Sequence, residues 1–145
     1  MQETEMAALN RRAMLIGIAG IGITAGVGLA VRAGGQPPFE QTFLTVDQMR
    51  ETGGLIVDIR TPPEWAETGV IEDAVLLTFS DPERFLAQVG PALADGRDLI
   101  LVCRSGNRTR AAAQVLADRI PNRIVSVEGG MKRVIASGYN PVSVN

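Results

Sequence analysis

The stretch Asp98–Ile120, DLILVCRSGNRTRAAAQVLADRI, decides the reading of the fold. LILV (Leu99–Val102) is a short, uninterrupted apolar run of the kind buried on both faces of a parallel sheet. It leads straight into Cys103, and Arg104-Ser-Gly-Asn-Arg108 then turns the chain into a segment with helical spacing. Ala111, Ala112, Val115, Leu116 and Ile120 are expected on the buried side of that helix, with Arg110, Gln114 and Asp118 on the other. Strand, tight turn and helix in this order are the parts of an α/β fold.

The same pattern recurs on either side. Leu55–Ile59 (LIVDI), Ala74–Leu77 (AVLL) and Ile124–Val127 (IVSV) read as further strands. Thr45-Val-Asp-Gln48 has the form of a capping box, in which the Thr hydroxyl takes an orphan amide and the Gln reaches back. Thr61-Pro62 and Asp81-Pro82 each place a capping residue before a proline at the first helical position. A last short helix, Met131–Ser137, is introduced by Gly129-Gly130 and stopped by Gly138. The expectation is a compact α/β domain with a mostly parallel central sheet flanked by helices. Sites in such sheets form at the carboxyl ends of strands. Asp58-Ile-Arg60, Cys103-Arg104 and Glu128-Gly-Gly are the polar groups at those ends.

Composition narrows the chemistry. The 145 residues suit one domain, and a net charge of −2 gives no footprint for nucleic acid. One Cys rules out an intrachain disulfide and a Cys-rich metal site. His is absent, which excludes Ser-His-Asp and Cys-His catalysis within this chain. No metal or cofactor is expected.

The N-terminal segment reads separately. Residues 13–31 (AMLIGIAGIGITAGVGLAV) hold no charge, follow Arg11-Arg12 and precede Arg32. They form either a membrane anchor, with the basic pair on the cytoplasmic side, or an export signal. NRRAML resembles a twin-arginine signal, and Val31-Arg32-Ala33 offers small residues for cleavage after Ala33. Both readings put the domain on the periplasmic side of the membrane. The expected organisation is 1–33 as signal or anchor, 34–42 as a linker around GGQPP, and 43–145 as the domain.

A lone Cys at a strand end is ordinarily a small buried hydrophobe. Here its neighbours point to a nucleophile. Gly106 lets the backbone fold so that successive amides converge as an anion-binding nest. A helix start adds partial positive charge, and Arg104 and Arg108 are expected to add full charges. Such surroundings favour the thiolate. Without His, sulfane-sulfur transfer fits well, because sulfite leaves as a stable anion and needs no acid. Phosphate-monoester chemistry fits the cradle but calls for a carboxylic acid nearby.

Four segments together resemble a single-domain rhodanese over about Phe43 to Val144. CRSGNR (Cys103–Arg108) is similar to the family's active-site loop, and DIRTPPEW (Asp58–Trp65) to its Asp-x-Arg segment. GVIEDAVLL (Gly69–Leu77) and VEGGMKRVIASGYNPV (Val127–Val142) resemble two further elements. Val70 stands where the family has His, and Glu72-Asp73 where it has Pro-Gly. The resemblance implies a rhodanese-like three-layer fold and a thiosulfate sulfurtransferase-like enzyme. Cys103 would carry a persulfide, and Arg104, Ser105, Gly106, Asn107 and Arg108 would bind substrate. Asp58 and Arg60 would support the loop, with Arg60 paired to a carboxylate, and Trp65 would anchor the core. The partners implied are a small sulfur donor and a thiol or cyanide acceptor, or an acceptor protein. The six-residue loop resembles sulfurtransferases rather than the related phosphatases and arsenate reductases, whose loop is one residue longer. A sulfur-carrier or protein-binding module is the alternative function, with arsenate or phosphate chemistry behind it.

Overall fold

The computed structural model describes residues 38–144. The segment expected as a signal or anchor, and the start of the linker after it, lie outside the described residues. Five strands form one sheet: β1 (Glu40–Thr42), β2 (Leu55–Asp58), β3 (Val75–Leu76), β4 (Leu99–Val102) and β5 (Ile124–Val127). Their order is β1-β5-β4-β2-β3, and every pairing is parallel. The helices are α1 (Val46–Glu51), α2 (Pro62–Thr68), α3 (Pro82–Leu93), α4 (Asn107–Leu116) and α5 (Gly130–Ala136).

Strand β4 is central and buried throughout, which is why its sequence is apolar without alternation. Its side chains still alternate between two cores. Leu99 and Leu101 pack with Phe85, Val89 and Leu93 of α3 and with Ala112, Ala113 and Leu116 of α4. Ile100 and Val102 pack with Val46 and Met49 of α1 and with Met131 and Val134 of α5. The result is three layers, helix pairs on both faces of a parallel sheet. Cys103 continues the alternation and falls in the α3–α4 core.

The caps form as the sequence predicts. Gln48 donates its amide to Thr45 Oγ1, and Thr45 donates its own to Gln48 Oε1. The Arg84 amide bonds Asp81 Oδ1 at 2.8 Å. The segments after α2 and at the C-terminus meet in an antiparallel bridge between Val70 and Val142.

Three expectations are corrected. The sheet reaches into the stretch expected as a linker, because Glu40–Thr42 pairs with β5. This edge strand is polar and has no apolar run to announce it. It is fastened by side chains instead, with Arg123 bound to Glu40 and Arg110 bound to Gln41. On α4, Val115 and Ala111 are exposed, and the buried side is Thr109, Ala112, Ala113 and Leu116. The run of three alanines leaves the helical phase open, and the buried side includes a threonine. Trp65 is half-buried and belongs to neither core, since α2 has no buried residue. Its indole N–H has no partner among the described residues.

Candidate active site

Cys103 follows the last residue of β4, and Gly106 caps α4 in the left-handed region at φ 96°. That turn brings the Gly106 amide 3.1 Å from the Cys103 sulfur. A side chain at Gly106 would press on the Gly129 amide at 3.1 Å and the Val127 carbonyl at 3.3 Å. Opposite, the start of α5 is laid directly on the loop. The Met131 amide bonds the Cys103 carbonyl at 2.8 Å and the Lys132 amide bonds the Arg104 carbonyl at 3.1 Å. Gly130 makes this approach feasible, because a Cβ there would lie 2.3 Å from the Cys103 oxygen. Among the described residues, the amides of Ser105, Asn107, Arg108 and Thr109 have no protein acceptor. Of the loop amides, that of Gly106 touches the sulfur, and the other four are the donors left over for the anion nest expected from the sequence. The side chains of Arg104, Ser105 and Asn107 are exposed.

The arginines divide differently from expectation. Arg108 does not stand free over the nest. Its guanidinium is bidentate to Glu64, with NH1 2.9 Å and NH2 2.5 Å from the two carboxylate oxygens. Glu64 also accepts from the Thr61 amide and hydroxyl at the start of α2. The Arg108 hydrogen bonds hold the Glu64 carboxyl at about 2, against an ordinary 4.5. In return that carboxylate raises the Arg108 guanidinium above its usual range. The pair is close to neutral. Arg104, which has no ion-pair partner among the described residues, is therefore the uncompensated cation of the loop. Arg110 reaches Gln41 instead of the nest.

Asp58 and Arg60 are both buried. Arg60 Nε lies 3.0 Å from each Asp58 carboxylate oxygen, and NH2 lies 2.7 Å from Oδ2. The rest of the guanidinium bonds the end of α2, at Thr68 Oγ1 (2.6 Å) and the Gly69 carbonyl (2.8 Å). Arg60 is thus paired with a carboxylate, but it supports the loop indirectly. It pins α2, α2 carries Glu64, and Glu64 holds Arg108.

Two residues that sequence reasoning missed lie behind the sulfur. Thr109 Oγ1 is 3.6 Å from Cys103 Sγ and 3.0 Å from the Gly106 carbonyl. Ser126 Oγ is 2.8 Å from Thr109 Oγ1. Both residues are fully buried. The available signal was Ser126 itself, one hydroxyl in the apolar run IVSV, since a buried hydroxyl requires a partner.

The family model described as a rhodanese-like domain matches residues 42–137. The chain belongs to the rhodanese-like domain family. A sulfurtransferase of Allochromatium vinosum is 35% identical over 77 residues, spanning 53% of this chain and 67% of that relative. Among solved structures, a rhodanese-like domain protein from Staphylococcus aureus superposes with a TM-score of 0.52 at 24% identity, over 71% of this chain and 99% of that one. A rhodanese-related protein from Thermoplasma volcanium gives 0.50 at 26%, over 68% and 94%. A Rhodopseudomonas palustris protein of unknown function, described as a "possible tyrosine phosphatase", gives 0.56 at 22%, over 72% and 85%. These likenesses agree with the parallel five-stranded sheet and its flanking helices.

The rhodanese-like domain has an open cavity beside its loop, between α2 and α5. Arg104 and Lys132 line it together with Glu64 and Glu67, and Met131 and Ile135 give it apolar walls. Among the described residues no group of His, Cys, Asp or Glu side chains is placed to hold a metal ion.

Proposed function

We propose that this rhodanese-like domain is a sulfurtransferase that takes a sulfane sulfur onto Cys103 and passes it to a thiol or cyanide acceptor. The observation that carries the reading is the Cys103 sulfur 3.1 Å from the Gly106 amide, in a loop whose Ser105, Asn107, Arg108 and Thr109 amides have no protein acceptor among the described residues. Family membership and the sulfurtransferase relative support the general role. In the first step the Cys103 thiolate attacks the outer sulfur of a donor such as thiosulfate. A bond forms between Sγ and that sulfur, the bond to the sulfonate sulfur breaks, and sulfite leaves with the electron pair. The negative charge moves to the outer persulfide sulfur, where the nest amides and the helix start stabilise it. An acceptor thiolate then attacks that sulfur, and Cys103 departs as the thiolate.

One feature favours sulfur over phosphate esters. Releasing an alkoxide calls for a carboxylic acid. Of the two carboxyls lining the cavity, Glu64 and Glu67, the one bound to the loop arginine is Glu64, which is held at about 2 and is ionised at neutral pH. Sulfite needs no proton to leave.

The proposal extends to placement. Arg11-Arg12 followed by the uncharged residues 13–31 supports a domain exported to the periplasm, or anchored in the cytoplasmic membrane and facing it. Fractionation and N-terminal sequencing of the mature protein test this.

Intact-mass measurement after incubation with thiosulfate tests the chemistry. A gain of one sulfur, absent in Cys103→Ser, is expected. No adduct with any sulfane donor would overturn the reading. Loading with slow release to small acceptors, but rapid release to a protein thiol, would identify a sulfur carrier instead.

A further inference from the structure

We propose that Ser126 and Thr109 form a hydroxyl relay that follows the charge on Cys103 and stabilises its thiolate. The inference rests on the reading of Cys103 as a nucleophile. It concerns positioning residues that the transfer step above does not use.

Three buried side chains from three elements meet here. Cys103 follows β4, Thr109 lies on α4 and Ser126 on β5. Ser126 donates to Thr109 Oγ1 at 2.8 Å, and Thr109 donates to the Gly106 carbonyl at 3.0 Å. The Cys103 sulfur is 3.6 Å from the same Thr109 oxygen, and either atom can donate across that gap. The trio therefore has two complete arrangements. With a thiol, S–H points to Thr109 and the Thr109 hydrogen to Gly106. When the thiol proton leaves to solvent, the Thr109 hydroxyl rotates about its C–O bond and donates to the sulfur anion. The Gly106 carbonyl is not stranded by this rotation, because the Arg110 amide bonds it at 3.1 Å. The thiolate then has two donors, the Gly106 amide at 3.1 Å and the Thr109 hydroxyl.

Ser126 gives the relay its direction. Its donation leaves a second Thr109 lone pair for the S–H, but it polarises the Thr109 hydroxyl as a donor, which favours the anion. When Sγ takes up a sulfur it becomes a neutral bridging atom, and the Thr109 hydrogen returns to Gly106. The hydroxyl turns again each time sulfur is delivered.

The charged groups around the sulfur are accounted for separately. Asp58 at the end of β2 and Arg60 just after it are a buried ion pair, and Arg108 and Glu64 are a pair from α4 and α2. Arg104 stands on the loop and Lys132 on α5, while Glu128 after β5 is bound to Arg133. None of these side chains hydrogen-bonds Thr109 or Ser126, so removing either hydroxyl leaves them in place.

The test is the pH profile of Cys103 alkylation by iodoacetamide, with circular dichroism to establish folding. Ser126→Ala and Thr109→Val should each slow alkylation at neutral pH about tenfold, the scale of one hydrogen bond to a charged group. The rate on the alkaline plateau should be unchanged, and Thr109→Ser should restore the neutral-pH rate. A change of accessibility or packing would shift the plateau too. Folded variants that alkylate like the wild type at every pH would overturn the relay, and Ser126→Ala alone decides if Thr109→Val does not fold. Persulfide loading of the wild type is measured alongside. Its absence would count against the sulfurtransferase reading, while the alkylation profile would still judge the relay.

Discussion

Arg108 and Glu64 sit 44 residues apart in the chain, yet the guanidinium grips both carboxylate oxygens at 2.5 and 2.9 Å. This contact joins the end of the active loop to the start of α2, and it takes the charge of Arg108 out of the cradle. Arg104 is left as the loop cation with no ion-pair partner among the described residues.

Replacing Glu64 with Gln should therefore act on stability in a pH-dependent way. The folded carboxyl is held at about 2 against an ordinary 4.5, so its ionisation favours the fold. The contribution is fully present above the ordinary value and lost as pH falls toward about 2. Denaturant unfolding should show wild type ahead of Glu64→Gln at neutral pH by about 1 kcal/mol, with the gap closing in acid.

The Asp58–Arg60 pair predicts a larger effect. Asp58→Asn leaves a buried guanidinium uncompensated and should cost about 3–5 kcal/mol. The double variant Asp58→Asn, Arg60→Met should be more stable than Asp58→Asn alone. A double variant no better than the single one would show that Arg60 acts through its bonds to Thr68 and Gly69 rather than through its charge.

Two glycines separate backbone strain from contact. Gly138, at φ 103°, has nothing within 4 Å of the point where a Cβ would stand, so Gly138→Ala should cost about 1–2 kcal/mol of strain. Gly130, at φ 55°, would add a contact of 2.3 Å with the Cys103 carbonyl. Gly130→Ala should be the worse of the two in thermal unfolding, and it should also lower the rate of persulfide formation.

Arg104 and Lys132 line the cavity as exposed cations. Arg104→Ala and Lys132→Ala should each raise the KM for thiosulfate by about three- to tenfold, with little change in kcat, and added salt should shrink the difference. Equal losses with a neutral sulfur donor would assign these residues a structural role.

Much of the fold was legible because it rests on local rules. LILV and IVSV are apolar over nearly their whole length because both faces of β4 and β5 are covered. Thr45, Thr61 and Asp81 announce helices because orphan amides need acceptors within a few residues. The cradle was legible for the same reason, since Cys103, Gly106 and the start of α4 lie together in sequence. What escaped depends on distant partners. Glu64 was visible in DIRTPPEW, but its hold on Arg108 arises only when α2 and α4 meet. Strand β1 has no apolar pattern, because its edge position relies on Arg110 and Arg123. Thr109 was hidden by a helical phase that three alanines leave open, and Ser126 acquires meaning only through Thr109.

The alternation along β4 has a consequence of its own. Leu99, Leu101 and Cys103 share one parity, and Ile100 and Val102 the other. Inserting or deleting a single residue between Leu99 and Cys103 would swing the sulfur through the plane of the sheet, away from Thr109 and toward Met131. The placement of this loop is thus encoded partly as an even number, the two-residue step that carries the chain from Leu101 to Cys103.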